Sequence, residues 1–150
     1  MLSTVTEPEA RSDQRLTYLV KRVEMALRAR LEEALQPLGV TLPQYTALSL
    51  LEHREGLSSA QLARRHFVTP QAMNQLVATL ERDGLIERRA DTANRKILRA
   101  WLTDRGADVL ASCHRLVDEL EERMLAALTS AETATLRRAL ERSLTALATR

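Results

Sequence analysis

Apolar residues recur through most of this chain at helical spacing, and the interruptions divide it into six predicted helices and one pair of strands. Leu16, Leu19, Val20, Val23, Leu27, Leu31 and Leu35 trace a long amphipathic helix from about residue 13, stopped by Pro37 and Gly39. Thr41 and Gln44 have capping-box spacing, so a second helix opens there, runs through Tyr45, Leu48, Leu50 and Leu51 to about His53, and closes at Gly56. Ser58 and Gln61 repeat the device and open a short third helix that buries Leu62 and Ala63, with Phe67 and Val68 as the following turn. Thr69 is a good N-cap and Pro70 a good first residue for a fourth helix, in which Met73, Leu76, Val77 and Leu80 form one apolar stripe. Asp83 and Gly84 end it. Residues 85–89 and 97–102 read as strands around a polar loop from Ala90 to Lys96. After the cap at 103–106, a fifth helix of roughly 25 residues carries Val109, Leu110, Cys113, Leu116, Val117, Leu120, Met124 and Leu128 at helical spacing. A third capping box, Thr129 with Glu132, opens a last helix through Leu136, Leu140, Leu144 and Leu147. Residues 1–12 have the character of a mobile tail.

The pattern predicts a mainly α fold with a small β-wing: a winged helix-turn-helix lobe over 41–102, flanked by long helices at 13–36 and 104–148. In the fourth helix, Gln71, Gln75, Ala78 and Arg82 fall opposite the apolar stripe, with Asn74 and Thr79 on the flanks. A solvated face normally carries Glu and Lys pairs; this one carries amides near its N-terminus. Gln and Asn can pair bidentately with the major-groove edge of adenine, so this helix is the candidate reader of DNA bases. The plain alternative is polar surface. In the loop between the strands, Asn94, Arg95 and Lys96 form a basic tip, and an arginine at such a tip can enter the minor groove. The alternative is an ordinary hairpin loop.

Composition changes the picture little. At 150 residues, 45% hydrophobic and 28% charged, the chain is an ordinary one-domain globular protein. A net charge of +2 argues nothing by itself, but residues 61–105 hold nine Lys/Arg against five Asp/Glu, while both flanks are slightly acidic. The positive excess thus sits in the winged segment, as a phosphate footprint would. Ser58, Arg64, Arg65, Arg88 and Arg89 join Asn94, Arg95 and Lys96 as candidate wing and phosphate contacts. No apolar run approaches the roughly 18 residues of a membrane span, no secretory leader is visible, and one cysteine permits no internal disulfide. These features point to the cytoplasm.

A winged helix needs only the middle of this sequence, yet apolar-striped helices flank it on both sides. A twofold dimer joining both chain ends would satisfy those stripes and set two recognition helices about one DNA turn (roughly 34–36 Å) apart. Intramolecular packing in a monomer is the alternative.

The chain resembles the MarR family of bacterial winged-helix regulators over nearly its whole length. The resemblance is carried by Leu42-Pro43-Gln44-Tyr45, by Leu57-Ser58-Ser59-Ala60-Gln61-Leu62-Ala63 and by Val68-Thr69-Pro70-Gln71-Ala72-Met73-Asn74. It continues through Leu80-Glu81-Arg82-Asp83-Gly84-Leu85-Ile86 and Leu102-Thr103-Asp104-Arg105-Gly106. It implies a homodimer on a pseudo-palindromic operator of double-stranded DNA, usually a repressor released by a small aromatic or phenolic ligand. It implies that Thr69, Gln71, Ala72, Asn74, Gln75, Ala78 and Arg82 face DNA and that Arg95 is the minor-groove arginine. Where the family commonly has Asp-Pro-x-Asp-Arg-Arg, this chain has Asp91-Thr92-Ala93-Asn94-Arg95-Lys96, so Asn94 replaces an aspartate that often braces the wing. The ligand pocket it implies lies among the first, second and fifth helices, with Tyr18, Arg22, Tyr45 and His53 as candidates to offer aromatic surface or charge.

Other functions leave weaker traces. For an enzyme or a metal site, His53, His66 and His114 lack ligand spacing and no glycine forms a nucleophile elbow or phosphate loop, so no catalytic residue, metal or cofactor is expected. A helical interaction module without DNA binding would not need the amide face or Arg95. Peroxide-sensing members of the family use a cysteine in the first helix, which has none here. A cysteine-based redox sensor would have to rely on Cys113, on the apolar stripe of the fifth helix, where a thiol usually behaves as a small hydrophobe.

Overall fold

The computed structural model describes residues 15–66 and 68–148; the expected tail at 1–12 and the turn residue Phe67 lie outside them. The elements are α1 (Leu16–Leu35), a single 3-10 turn (Gln36–Leu38), α2 (Leu42–His53), β1 (Leu57–Ser58), α3 (Ser59–His66), α4 (Pro70–Arg82), β2 (Ile86–Ala90), β3 (Leu98–Leu102), α5 (Asp104–Leu125) and α6 (Ser130–Ala148).

The caps form as the spacing predicts. In α2 the Thr41 hydroxyl accepts from Gln44 N–H while the Gln44 side chain accepts from Thr41 N–H. Ser58 and Gln61 close the same reciprocal pair at α3, and Thr129 and Glu132 at α6. Each satisfies two backbone donors that the helix itself cannot. The end of α4 is tied off by two backbone bonds, Leu85 N–H to Leu80 O and Gly84 N–H to Glu81 O, both 3.0 Å. That pattern needs a left-handed residue between them, and Gly84 supplies it at φ 72°.

One core holds the lobe together. Leu48, Leu51, Leu62, Met73, Val77, Leu80, Ile86 and Leu110 are buried in a single cluster to which α2, α3, α4, β2 and α5 all contribute. Burying a side chain of this size stabilises by about 1.5–3 kcal/mol, so the stripe of α4 fixes how its opposite face is presented. A smaller cluster of Leu35, Val40 and Cys113 locks the C-terminal end of α1 against α5.

The sheet has three strands, not the two expected, in the order β1-β3-β2 and antiparallel throughout. Leu57 and Ser58 pair with Ala100 and Arg99, so β3 is the central strand. Close approach governs its junction with α5: a Cβ on Gly106 would lie 1.9 Å from Leu85 O, so only glycine lets α5 start this near β2.

The flanking helices differ from the lobe. Only Leu35 of the α1 stripe is buried, while Leu16 is 77% and Val23 56% exposed. Along α6 the leucine stripe is exposed throughout, reaching 83% at Leu147. None of the helices described is long and apolar enough to cross a membrane.

Candidate nucleic-acid interface

On α4, Gln71, Ala72, Asn74, Gln75, Ala78 and Arg82 are all exposed. The side-chain amides of Gln71, Asn74 and Gln75 have no hydrogen-bond partner among the described residues, so the helix presents a row of free donors and acceptors. Thr69 acts from the helix end: its hydroxyl accepts from Ala72 N–H at 3.1 Å. Thr79 turns inward along the helix and donates to Gln75 O.

The cations behave unequally. Arg64 and Arg65 end α3 exposed and unpaired among the described residues. Arg88, a candidate phosphate contact, is engaged within the fold. Its guanidinium gives a bidentate pair to Glu81 (2.9 and 3.0 Å), with only 24% of its side chain exposed, and so braces α4 to β2. Such fork-to-carboxylate geometry is among the stronger ion pairs, and it holds the Glu81 carboxyl below its usual range. Arg89 is exposed, pairs with Glu87 and lies over the Trp101 ring at 5.3 Å. Ser58 is partly buried and serves as the α3 cap.

The wing loop is ordered by its own polar groups. Asp91 Oδ2 accepts from Ala93 and Asn94 N–H, Asn94 Oδ1 accepts from Lys96 N–H, and Asp91 N–H donates to Ile97 O. Asn94 thus supports the turn in place of the aspartate common in the family. Arg99 Nε donates to Asp91 Oδ1 at 2.6 Å, which depresses the Asp91 pKa together with the Asn94 N–H bond. Arg95 stands exposed at the tip of this pinned loop, its side chain without a partner among the described residues.

The four residues expected to line a ligand pocket do not converge within one chain. Tyr45 is at the α1–α2–α5 junction beside Leu35 and Cys113. Tyr18, 17 residues before Leu35 on the same helix, is therefore about 25 Å away at 1.5 Å per residue. Arg22 lies over Tyr18, 6.0 Å from its ring, in that distant half. His53 is exposed and donates to Ser49 O. What sequence reading missed is the polar chain around Tyr45. Its hydroxyl meets His114 Nδ1 at 3.0 Å, and His114 Nε2 meets Glu52 Oε2 at 2.9 Å. A carboxylate can only accept, so this chain is satisfied with the imidazole proton on Nε2 and the phenol donating to Nδ1. A separate cleft of about 350 Å³ opens between α1 and α5, where Arg30 and Arg123 flank apolar walls from Val23, Leu27, Leu120 and Met124.

Among the described residues, no group of three or more His, Cys, Asp or Glu is placed to hold a metal ion. The three histidines serve different local partners: His66 donates to Pro43 O, His53 to Ser49 O, and His114 joins the Tyr45 chain. Cys113 is fully buried, and burial pushes its thiol pKa up, away from the reactive thiolate.

Comparison with known proteins agrees with this geometry. A family model described as the MarR family matches residues 38–97, the winged lobe. The HTH-type transcriptional repressor Rv2887 of Mycobacterium tuberculosis is 41% identical over 130 residues, which span 87% of this chain and 94% of that one. The crystal structure of Rv2887 in complex with DNA superposes at a TM-score of 0.74 and 39% identity, covering 87% of this chain and 98% of that one. Its complex with p-aminosalicylic acid gives 0.72 and 40%, covering 86% and 98%. With the amide row, the pinned wing and a relative matched almost end to end, the chain belongs to the MarR family of helix-turn-helix transcriptional regulators.

Proposed function

We propose that this chain is a dimeric, sequence-specific repressor that binds a pseudo-palindromic DNA operator and is released by a small aromatic acid. The observation that carries the reading is the row of amides at Gln71, Asn74 and Gln75, unpartnered among the described residues, held outward by the buried Met73, Val77 and Leu80 and set beside a basic wing. The α4 face enters the major groove, with Gln71, Asn74, Gln75 and Arg82 toward base edges and Thr69, Ala72 and Ala78 at the surface of approach. Arg95 enters the minor groove; Arg64, Arg65, Arg89, Lys96 and the α3 end at Ser58 meet phosphates. Residues 41–102 form the DNA-binding lobe, and α1, α5 and α6 form the dimer.

Dimerisation is supported by the exposed stripes of α1 and α6. Apolar faces of this extent at both chain ends are what an isologous interface would cover. The effector is supported by the relative solved with p-aminosalicylic acid. An aromatic carboxylate needs an apolar wall and a cation; the α1–α5 cleft offers the wall in Val23, Leu27, Leu120 and Met124 and the cations in Arg123 and in Arg30, which also pairs with Glu33. Tyr45 at the lobe junction is the one residue of the expected quartet placed to sense movement between lobe and dimer.

The test is a footprint of the purified protein on the DNA upstream of its own gene, repeated with a panel of aromatic acids. Symmetric protection over two successive major grooves, abolished by one of the acids, is the expected result. A monomer in solution, or indifference to every duplex at low salt, would reject the reading.

A further inference from the structure

Besides the Arg88–Glu81 pair at its base, the wing is joined to the helix pair by a side chain for which the hydrophobic pattern predicts no role. Arg99 lies on the central strand β3, in register with Ser58 of β1 on one side and Arg89 of β2 on the other. Unlike the cations of the wing tip, it is partly buried, with 31% of its side chain exposed. Its guanidinium points three ways. Nε donates to Asp91 Oδ1 at 2.6 Å, and Nη1 donates to Gly56 O at 3.0 Å and to Gln61 Oε1 at 3.3 Å. Gln61 Oε1 also accepts from Ser58 N–H in the α3 capping box. Asp91, at the other end, accepts from the backbone of the wing loop at Ala93 and Asn94.

A continuous run of hydrogen bonds thus leads from the first turn of α3 through one planar cation to the residues just before Arg95. A two-stranded ribbon can otherwise twist about its base, and a free loop would carry Arg95 through a range of positions relative to α4. The planar fork of arginine suits such a three-way junction, because its donors keep a fixed geometry.

We propose that Arg99 is a positioning residue for DNA binding: by tying Asp91 of the wing to Gly56 and Gln61 at the start of α3, it fixes where Arg95 is held relative to the recognition helix. The inference rests on the operator-binding reading above. Arg99 itself does not touch DNA, and its effect on affinity passes through Arg95.

That dependence gives the test, a double-mutant cycle in the full chain on a duplex from upstream of its own gene. Arg99→Met should weaken binding about tenfold when Arg95 is present and have little further effect when Arg95 is already alanine. Asp91→Asn cuts the junction at its wing end and leaves the bonds to Gly56 and Gln61, so it should reproduce the same coupling even if Arg99→Met proves poorly folded. Replacing A·T pairs under the wing by G·C should weaken the wild type and leave Arg99→Met and Arg95→Ala alike indifferent. Additive losses from Arg99 and Arg95, or wild-type affinity in both Arg99→Met and Asp91→Asn, would overturn the proposal and leave operator binding standing. A wild-type chain that binds no duplex at all would overturn both.

Discussion

The Tyr45 phenol on α2 and the His114 imidazole on α5 stand 3.0 Å apart across 69 residues of sequence. Glu52, two turns further along α2 than Tyr45, completes the contact from the other side of the ring. The pair is the polar joint between the winged lobe and the long helix that leaves it. Tyr45→Phe removes the donor and leaves Nδ1 without its partner, for an expected loss of about 0.5–1.5 kcal/mol. Urea unfolding measures it, and an unmoved midpoint at constant slope would remove the joint from the stability of the fold. Burial raises the Tyr45 pKa. Its contribution is therefore complete below the ordinary tyrosine value near 10 and is lost as pH rises through the higher folded value.

Acid should act on the wing and on the recognition helix together. Hydrogen bonds from Arg99 and Arg88 hold Asp91 and Glu81 below their ordinary values of 3.8 and 4.5. A depressed folded pKa means stability that is present above those ordinary values and lost as pH falls through the folded ones. Thermal midpoints recorded from neutral pH downward should fall in that acid range, and Asp91→Asn should make the fall shallower. A variant with the wild-type profile would show that the Asp91 ion pair contributes nothing to the fold.

Gly106→Ala should be the most damaging one-methyl change in the chain. The added Cβ meets Leu85 O at 1.9 Å, and that oxygen also accepts from Thr103 N–H, so neither side can yield without breaking the junction. Overpacking against backbone costs about 1–3 kcal/mol or more. By comparison Gly39, where nothing lies within 4 Å of a built Cβ, should lose only the strain of its φ of 67°. Calorimetry on the two alanine variants ranks them.

On DNA, Gln75→Ala should relax base preference by about 1–3 kcal/mol for each bidentate amide–base pair it removes. Random duplexes should bind the variant as they bind the wild type; an equal weakening on both would make Gln75 a phosphate contact. Arg95→Ala should weaken operator binding and leave the dimer intact, as sedimentation can verify. With about 6–10 phosphates contacted by the dimer, affinity should drop by roughly 10³–10⁵ between 50 and 200 mM salt.

The helices and their caps are legible in the sequence because each rests on groups three or four residues apart. Thr41 with Gln44, Ser58 with Gln61 and Thr129 with Glu132 can be paired from spacing alone. The two-residue β1 is not, since a pair of residues shows no alternation to read. Arg88 reads as a phosphate contact because its charge is visible in sequence, whereas its bidentate partner Glu81 lies across a helix end and a turn. Arg99 escapes notice for the same reason: two of its three acceptors, Gly56 and Gln61, are brought to it only by the β1–β3 pairing. The ligand quartet does not converge within one chain, because residue type carries no measure of distance along α1, which separates Tyr18 and Arg22 from Tyr45.

Trp101, the one tryptophan of the chain, packs its ring against Gly56 at the foot of the wing while Arg89 covers it from β2. The indole therefore sits between Gly56 and the exposed guanidinium of Arg89. Its emission should respond when Arg89 is drawn to a DNA strand, so operator engagement can be followed by intrinsic fluorescence, with no dye attached to either partner.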